Sequence, residues 1–269
     1  MTAMDAKPVY DALEAYFKPA ECTDVFSTVG LCADNTDRIR SVYTATFAGE
    51  EVFAWLRAQG ASDCLLFTHH PVPQRENPED RPPAIPEAQL RFMEQNRISL
   101  FSYHIPLDRN GEYSPGTNLA RAIGARVTGE FYEQNRVKMG VLCEIDCAAA
   151  RQVSARLETV VGHAAKLYPH GGEALQSNRI AIMAGGAKST AIYEELRAGG
   201  INLFITGVTN PRVPWVGEIH KAAARSGVSL LGGTHCSTEK FALMAMNRFF
   251  ERLGLPAFFI PEAPHLQEL

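Results

Sequence analysis

Short apolar runs broken by glycine, proline and charge recur along this chain, and their periods separate helices from strands. Val9, Leu13, Tyr16 and Phe17 fall at helical spacing, so Val9 to Phe17 is predicted as a helix that Lys18-Pro19 ends. Arg38 to Phe47 alternates apolar and polar positions and is predicted as a strand; Val52, Phe53, Trp55 and Leu56 then share a helical face within Glu50 to Gln59. Asp63 to Thr68 is again a strand, followed by His69-His70-Pro71, where the proline cannot continue a central ladder. Pro71 to Pro86, centred on Pro82-Pro83, is a loop, either a lid beside the histidines or a plain surface connection. A helix is predicted from Pro86 to about Asn96, with proline in its first turn. A strand over Ile98 to Tyr103 and a short helix over Asn118 to Ile123, ended by Gly124, complete this half.

The pattern changes around Thr128 to Gln134, where a domain crossing is placed. Beyond it the alternation is regular: strand Val137 to Ile145, helix Ala148 to Val161, strand Arg179 to Met183, helix Thr190 to Arg197, strand Asn202 to Thr206, helix Val216 to Ser226 and strand Val228 to Leu231. Pro169 to Ser177, holding His170-Gly171-Gly172, reads as a mobile loop. A last helix spans Lys240 to Leu253, and Ala257 to Ile260 forms an edge strand. Strands alternating with helices predict an α/β fold of parallel or mixed sheets with crossover helices.

Composition narrows the function classes. The 269 residues suffice for one large or two medium domains with a substantial core. The net charge of −4, from 26 basic and 30 acidic residues, gives no polyanion-binding field, which disfavours nucleic acid as a partner. The six cysteines form no C-x-x-C pair. Met1 to Val9 lacks the apolar core of a secretory signal, and no apolar stretch approaches the roughly 18 residues that span a bilayer. The expectation is a cytoplasmic protein with reduced thiols and no membrane partner.

Three strand ends carry chemistry. In α/β sheets the carboxyl ends of strands hold ligands, and His69-His70 stands at such an end. His104-x-x-x-Asp108 follows the next strand; Pro106 lies between the two residues, so an irregular turn is expected rather than a helical pair. His235 and Glu239 follow Gly232-Gly233-Thr234, and four-residue spacing at a helix start lets both grip one ion. Alone, Glu239 reads equally as a residue answering the helix dipole. Together His69, His70, His104, Asp108, His235 and Glu239 exceed the three or four ligands of a single zinc site and fit two metals. Imidazole mixed with carboxylate suits zinc, iron or manganese.

Other features leave alternatives open. Ala184-Gly185-Gly186-Ala187-Lys188-Ser189 opens a helix, as a tight turn or an anion cradle, and fails the Walker pattern. Cys236 is a soft ligand, a redox-sensitive thiol or an idle buried one, while His170 and His220 either reach the site or lie on the surface.

The segments LLFTHHPV, SLFSYHIPLDRNGEYSPGTNLARAIGA, LFITG and GTHCSTEK resemble the NIF-three-like dinuclear metal family, whose members are often called GTP cyclohydrolase 1 type 2 homologues. The resemblance runs in order over most of the chain. It implies two α/β domains with mixed sheets flanked by helices, two divalent ions in the cleft between them, and a homohexameric ring built from dimers. By motif position His69, His70, Asp108, His235 and Glu239 match the family's ligands, and His104 a ligand or a neighbour of one. It also implies a discontinuous metal-binding domain, 1–127 plus 232–269, around a second domain, 128–231. The chain departs from the pattern at Val208, where an acidic residue is common, at Ser27-Thr-Val-Gly30-Leu31, and at Thr234, where glycine is expected.

The expected function is that of a dinuclear metal-dependent hydrolase, cyclohydrolase-like or phosphoesterase, acting on a nucleotide or related small molecule. Its ions would activate a water molecule, with Glu239 and His104 as candidate proton carriers. The rival expectations are a non-catalytic hexameric metal-binding assembly with a scaffold or regulatory role, and a ring that docks on another macromolecule.

Overall fold

The structure is a computed structural model that describes residues 3–26, 28–73 and 84–269. Most of the proline-rich stretch expected as a loop or lid, and Ser27 of the departed motif, lie outside the described residues. The elements in chain order are β1 (Met4–Asp5), α1 (Ala6–Phe17), β2 (Gly30–Ala33), β3 (Arg38–Ile39), β4 (Ser41–Phe47), α2 (Glu50–Ala58), β5 (Cys64–His70), α3 (Glu87–Gln95), β6 (Ile98–Ser102) and α4 (Ile105–Asp108). There follow α5 (Pro115–Ala122), β7 (Ala125–Gln134), β8 (Val137–Ile145), α6 (Ala150–Val161), β9 (Lys166–Tyr168), β10 (Arg179–Ile182), α7 (Ala191–Ala198), β11 (Leu203–Thr206), α8 (Val216–Ser226), β12 (Ser229–Gly232), α9 (His235–Arg252) and β13 (Ala257–Phe259). No helix among the described residues is long and apolar enough to cross a membrane.

Two compact units emerge: Met1–Leu107 with Ala242–Ala263, and Asp108–Phe241 with Pro264–Leu269. The sequence boundaries at 127/128 and 231/232 fall inside β7 and β12.

The first unit is built on a mixed sheet of order β13-β4-β5-β6-β2, parallel except for β2. Central β5 is buried along its whole length, which explains its unbroken Leu65-Leu66-Phe67 run. Leu66 and Cys64 pack with Val52, Phe53 and Leu56 of α2 and Met93 of α3 on one face. On the other face Phe67 meets Phe101 and Phe250 of α9, and Phe17 of α1 meets Tyr103. Full burial of a Phe of this kind is worth roughly 1.5–3 kcal/mol. The expected single strand over Arg38 to Phe47 is interrupted at Arg40, whose N–H donates to Asp63 instead of to the ladder.

The second unit has a mixed sheet of order β7-β8-β10-β11-β12-β9. Its three parallel neighbours β10, β11 and β12 show the period of two directly. Ile180, Ile182, Leu203, Ile205 and Leu231 face Val153 and Leu157 of α6 and Leu119 of α5. Ala181, Phe204 and Leu230 face Ile192 and Leu196 of α7 and Ile219 and Ala223 of α8. The stretch around Thr128, expected as a crossing, is the ten-residue edge strand β7 in a hairpin with β8. The glycine loop expected to be mobile is instead clamped. Gly171 N–H donates to Ser229 Oγ, and Asn202 Nδ2 donates to the carbonyls of Gly171 and Ala174.

Candidate metal centre

In the first unit β5 ends in its two histidines, His69 fully buried and His70 nearly so. Consecutive strand residues ordinarily face opposite sides. Here the two rings lie 4.4 Å apart, at a strand end where the β6 ladder has stopped at Thr68 while His70 still pairs with Phe47 of β4. His104, just past β6, closes the group, with ring centroids 5.1 Å from His69 and 4.9 Å from His70. One nitrogen from each of the three lies within 4.8 Å of the others.

The turn after His104 differs from the sequence expectation. Ile105 to Asp108 is a single helical turn, with Leu107 N–H donating to the His104 carbonyl. Pro106 sits in the first turn, where its missing N–H costs nothing. Asp108 is the first residue of the second unit.

Hydrogen bonds fix which nitrogen each imidazole offers. His69 Nδ1 lies 2.9 Å from the Tyr103 carbonyl, which only accepts, so Nδ1 carries the proton and Nε2 the lone pair. His104 Nδ1 lies 3.0 Å from Asp24 Oδ1, giving the same assignment through a carboxylate. Holding a ring N–H on a carbonyl or carboxylate is how proteins orient metal-binding histidines, and it raises ligand basicity. The donor set therefore fits a divalent cation. Phe47 stacks on His70 at 4.2 Å and 7°, and Phe26 packs edge-on to His104, so each ring has an apolar neighbour.

Asp24 escaped the sequence reading, since it stands in an irregular stretch eighty residues from its partner. Its carboxylate also accepts the N–H of Ile105 and of Phe26. Burial alone would raise its pKa; the His104 hydrogen bond and charge, with the two N–H groups, outweigh that and hold it below the usual value. Asp24→Ala is expected to lower divalent-ion affinity about 10–100-fold, the cost typical of losing such a partner. Competition against a chelator measures this; an unchanged affinity contradicts the role.

In the second unit the helix carrying the last two candidates begins earlier than the apolar periodicity of Lys240 to Leu253 suggests. α9 starts at His235, so His235 and Glu239 are one turn apart on one face, with Nε2 and Oε1 3.1 Å from each other. Glu239 is 3% exposed, which makes an ordinary solvated dipole role a poor account of it. Thr234 enters the helix at φ 62, in the left-handed region where the glycine expected from the motif would be unstrained.

The Gly-Gly-Ala-Lys-Ser loop after β10 is a tight turn built against this pair. Gly185 N–H donates to Thr238 Oγ1, and the Gly185 carbonyl accepts from the N–H groups of Gly207 and Val208. Gly207 has no room for a side chain either: a Cβ would meet the Gly185 carbonyl at 2.6 Å and His235 Cα at 2.8 Å. The LFITG turn is glycine for that reason. Lys188 reaches over the Trp215 ring at 5.7 Å.

The remaining histidines and thiols have other partners. His170 Nε2 and His220 Nδ1 are 3.0 Å apart, and His220 Nε2 lies 2.8 Å from the Thr209 carbonyl. The carbonyl places the His220 proton on Nε2, so His170 donates to His220. Burial, then the neighbouring imidazole, hold the His170 pKa below its usual value. All six cysteines are free thiols, and burial pushes Cys64 and Cys143 up to about 12, so those two supply no thiolate. Cys236 is buried at the start of α9 beside Ser237.

A family model described as Duf34/NIF3 (NGG1p interacting factor 3) matches residues 4–264. A "GTP cyclohydrolase 1 type 2 homolog" of Archaeoglobus fulgidus is 26% identical over 236 residues, covering 87% of this chain and 89% of the relative. A Pseudomonas aeruginosa protein of the same description is 23% identical over 262 residues, covering 96% and 97%. Among solved structures, protein ybgI, described as of unknown function, superposes with a TM-score of 0.79 at 20% identity, covering 97% of this chain and all of that one. That structural likeness is one of fold.

Proposed function

The chain belongs to the Duf34/NIF3 family, and from that premise we propose that it is a dinuclear metal protein acting as a hydrolase on a nucleotide or related small molecule. His69, His70, His104, Asp108, His235 and Glu239 would hold the two ions. The observation that carries the reading is the tautomer control at His69 and His104, whose Nδ1 protons are committed to the Tyr103 carbonyl and Asp24. Each bond leaves Nε2 as the nitrogen that the imidazole offers to an ion, the arrangement by which proteins orient metal-binding histidines.

When bound, a pair of divalent ions supplies Lewis-acid charge and lowers the pKa of water toward neutrality. The chain's own residues do the rest. His69 and His104 present Nε2 lone pairs, Asp24 keeps the His104 proton at Nδ1, and Phe47 and Phe26 pack against the rings of His70 and His104. Glu239, buried against His235, is the candidate group to move a proton, since the His104 proton is committed to Asp24. The mixed nitrogen and oxygen donors suit zinc, iron or manganese. A homohexameric ring of dimers in the cytoplasm belongs to the same proposal, and a native mass of six chains is the result it expects.

The test is a screen of nucleotides and phosphoesters with metal-free protein restored by each ion in turn. Turnover that requires the ion and is lost in Glu239→Ala is expected. Equal turnover by metal-free protein or by Glu239→Ala contradicts a metal-dependent hydrolase.

One observation favours a second reading, a non-catalytic metal-binding assembly. Val208, where the family resemblance leads one to expect an acid, is 7% exposed and its N–H is tied to Gly185. The centre then lacks that proton carrier. Bound metal without turnover of any substrate class selects this reading.

A further inference from the structure

The N-terminus of α9 leaves backbone N–H groups without helical partners, as every helix does. The first of them belongs to His235, and it donates over 2.7 Å to Oε2 of Glu268, a residue thirty-three positions later in the sequence. Glu268 is itself buried, with 8% exposure, and is held from its backbone. Its carbonyl accepts from both Thr209 and Asn210 N–H at 2.8 Å, and Asn210 Nδ2 donates to the Gln267 carbonyl at 2.8 Å. The 264–269 segment is thus clipped to the turn that follows β11. That clip delivers a carboxylate to the main chain of one candidate ligand, one helical turn before the other, Glu239. Asn210 cannot be reached by Glu268 through sequence proximity, so the arrangement is a product of the fold alone.

We infer that Glu268 is a positioning residue for the metal centre. Its carboxylate fixes the first turn of α9 through the His235 N–H, so that His235 Nε2 and Glu239 Oε1 are presented together. The inference rests on the proposed metal centre and adds to it a residue that works through the backbone of a ligand. A helix cap with no such role would affect the stability of the metal-free chain and leave the geometry of a bound ion unchanged.

Cobalt(II) separates these cases, because its visible bands report ligand geometry. The full chain, freed of metal and titrated with Co(II) against a competing chelator, is compared with Glu268→Gln and Glu268→Ala. Glu268→Ala is expected to lose about 10–100-fold in Co(II) affinity, with altered bands. Glu268→Gln, whose amide oxygen still accepts the N–H, is expected to stay within about three-fold of wild type with its bands restored, well short of the loss seen on removing an orienting partner. Wild-type affinity and bands in Glu268→Ala overturn the inference, whatever its thermal midpoint. So does a Glu268→Gln as poor as Glu268→Ala, which would assign the effect to charge. If Glu268→Ala does not fold, Glu268→Asp, which withdraws the oxygen by one methylene, takes its place with the same expectations. A wild-type chain that takes up no Co(II) overturns the metal centre itself, an outcome distinct from all of these.

Discussion

Gly185→Ala is expected to cost the protein most of its affinity for divalent ions while leaving it folded. A Cβ at this position would stand 2.0 Å from Glu239 Oε1 and 3.0 Å from His235 Nε2. The carboxylate is the end of a flexible side chain, so the fold yields cheaply and the ligand moves. The backbone adds its own term: φ is +71 at Gly185, and an L residue there is strained by roughly 1–2 kcal/mol. Because the displaced group is a proposed ligand itself, the affinity loss should reach the upper end of the range for disturbed sites, about 100-fold. Chelator competition and a urea midpoint, measured on the same variant, check the two halves. A variant that loses stability in step with wild-type metal affinity would contradict the placement of this glycine at the centre.

Glu262→Gln is expected to remove a pH dependence of stability that the wild type shows between about pH 4.5 and pH 7. The Glu262 carboxylate accepts the N–H groups of Thr46 and Phe47 at the end of β4, the residue Phe47 being the one stacked on His70. Burial raises its pKa to about 7, overcoming those hydrogen bonds, with the Glu51 charge adding to the rise. The folded chain therefore keeps a proton that the unfolded chain has released from its ordinary value of 4.5. Stability is fully present below pH 4.5, falls as pH rises toward 7, and is level beyond. A shift of this size corresponds to roughly 3 kcal/mol, an upper bound because the residue keeps some contact with solvent. The amide in Glu262→Gln carries no charge but leaves one N–H poorly matched, at about 1 kcal/mol. The variant should be the less stable protein at pH 4.5 and the equal or better one at pH 8. Urea midpoints across that range give the curves; an unchanged slope in the variant would remove Glu262 as the cause.

How much of this was legible in the sequence depended on where each signal is carried. β5 and the parallel strands β10 to β12 announced themselves because burial on both faces demands an unbroken apolar run. β7 did not, since most of its positions are exposed and no alternation survives. Its hairpin turn was equally quiet: Asn135 and Arg136 both adopt positive φ, as a two-residue turn requires, but without the glycine that usually marks it. The start of α9 was hidden because its first turn, His235 to Thr238, is polar while buried, spent on bonds to Glu268, His163 and Gly185. Proline misled at 106, where the rule against helical proline holds for interiors and not for a first turn. The candidate ligands were readable from residue type at strand ends. Their supports, Asp24 and Glu268, were not, because neither has any fixed spacing to the histidine it holds.

The claim on which the account turns is that six side chains from three strand ends bind a pair of divalent ions. Elemental analysis of the purified chain after loading and exhaustive dialysis tests it most directly. The account predicts two equivalents per chain in the wild type and at most one in His69→Ala and in Glu239→Ala. No retained metal in the wild type, or two equivalents retained by both variants, would contradict it.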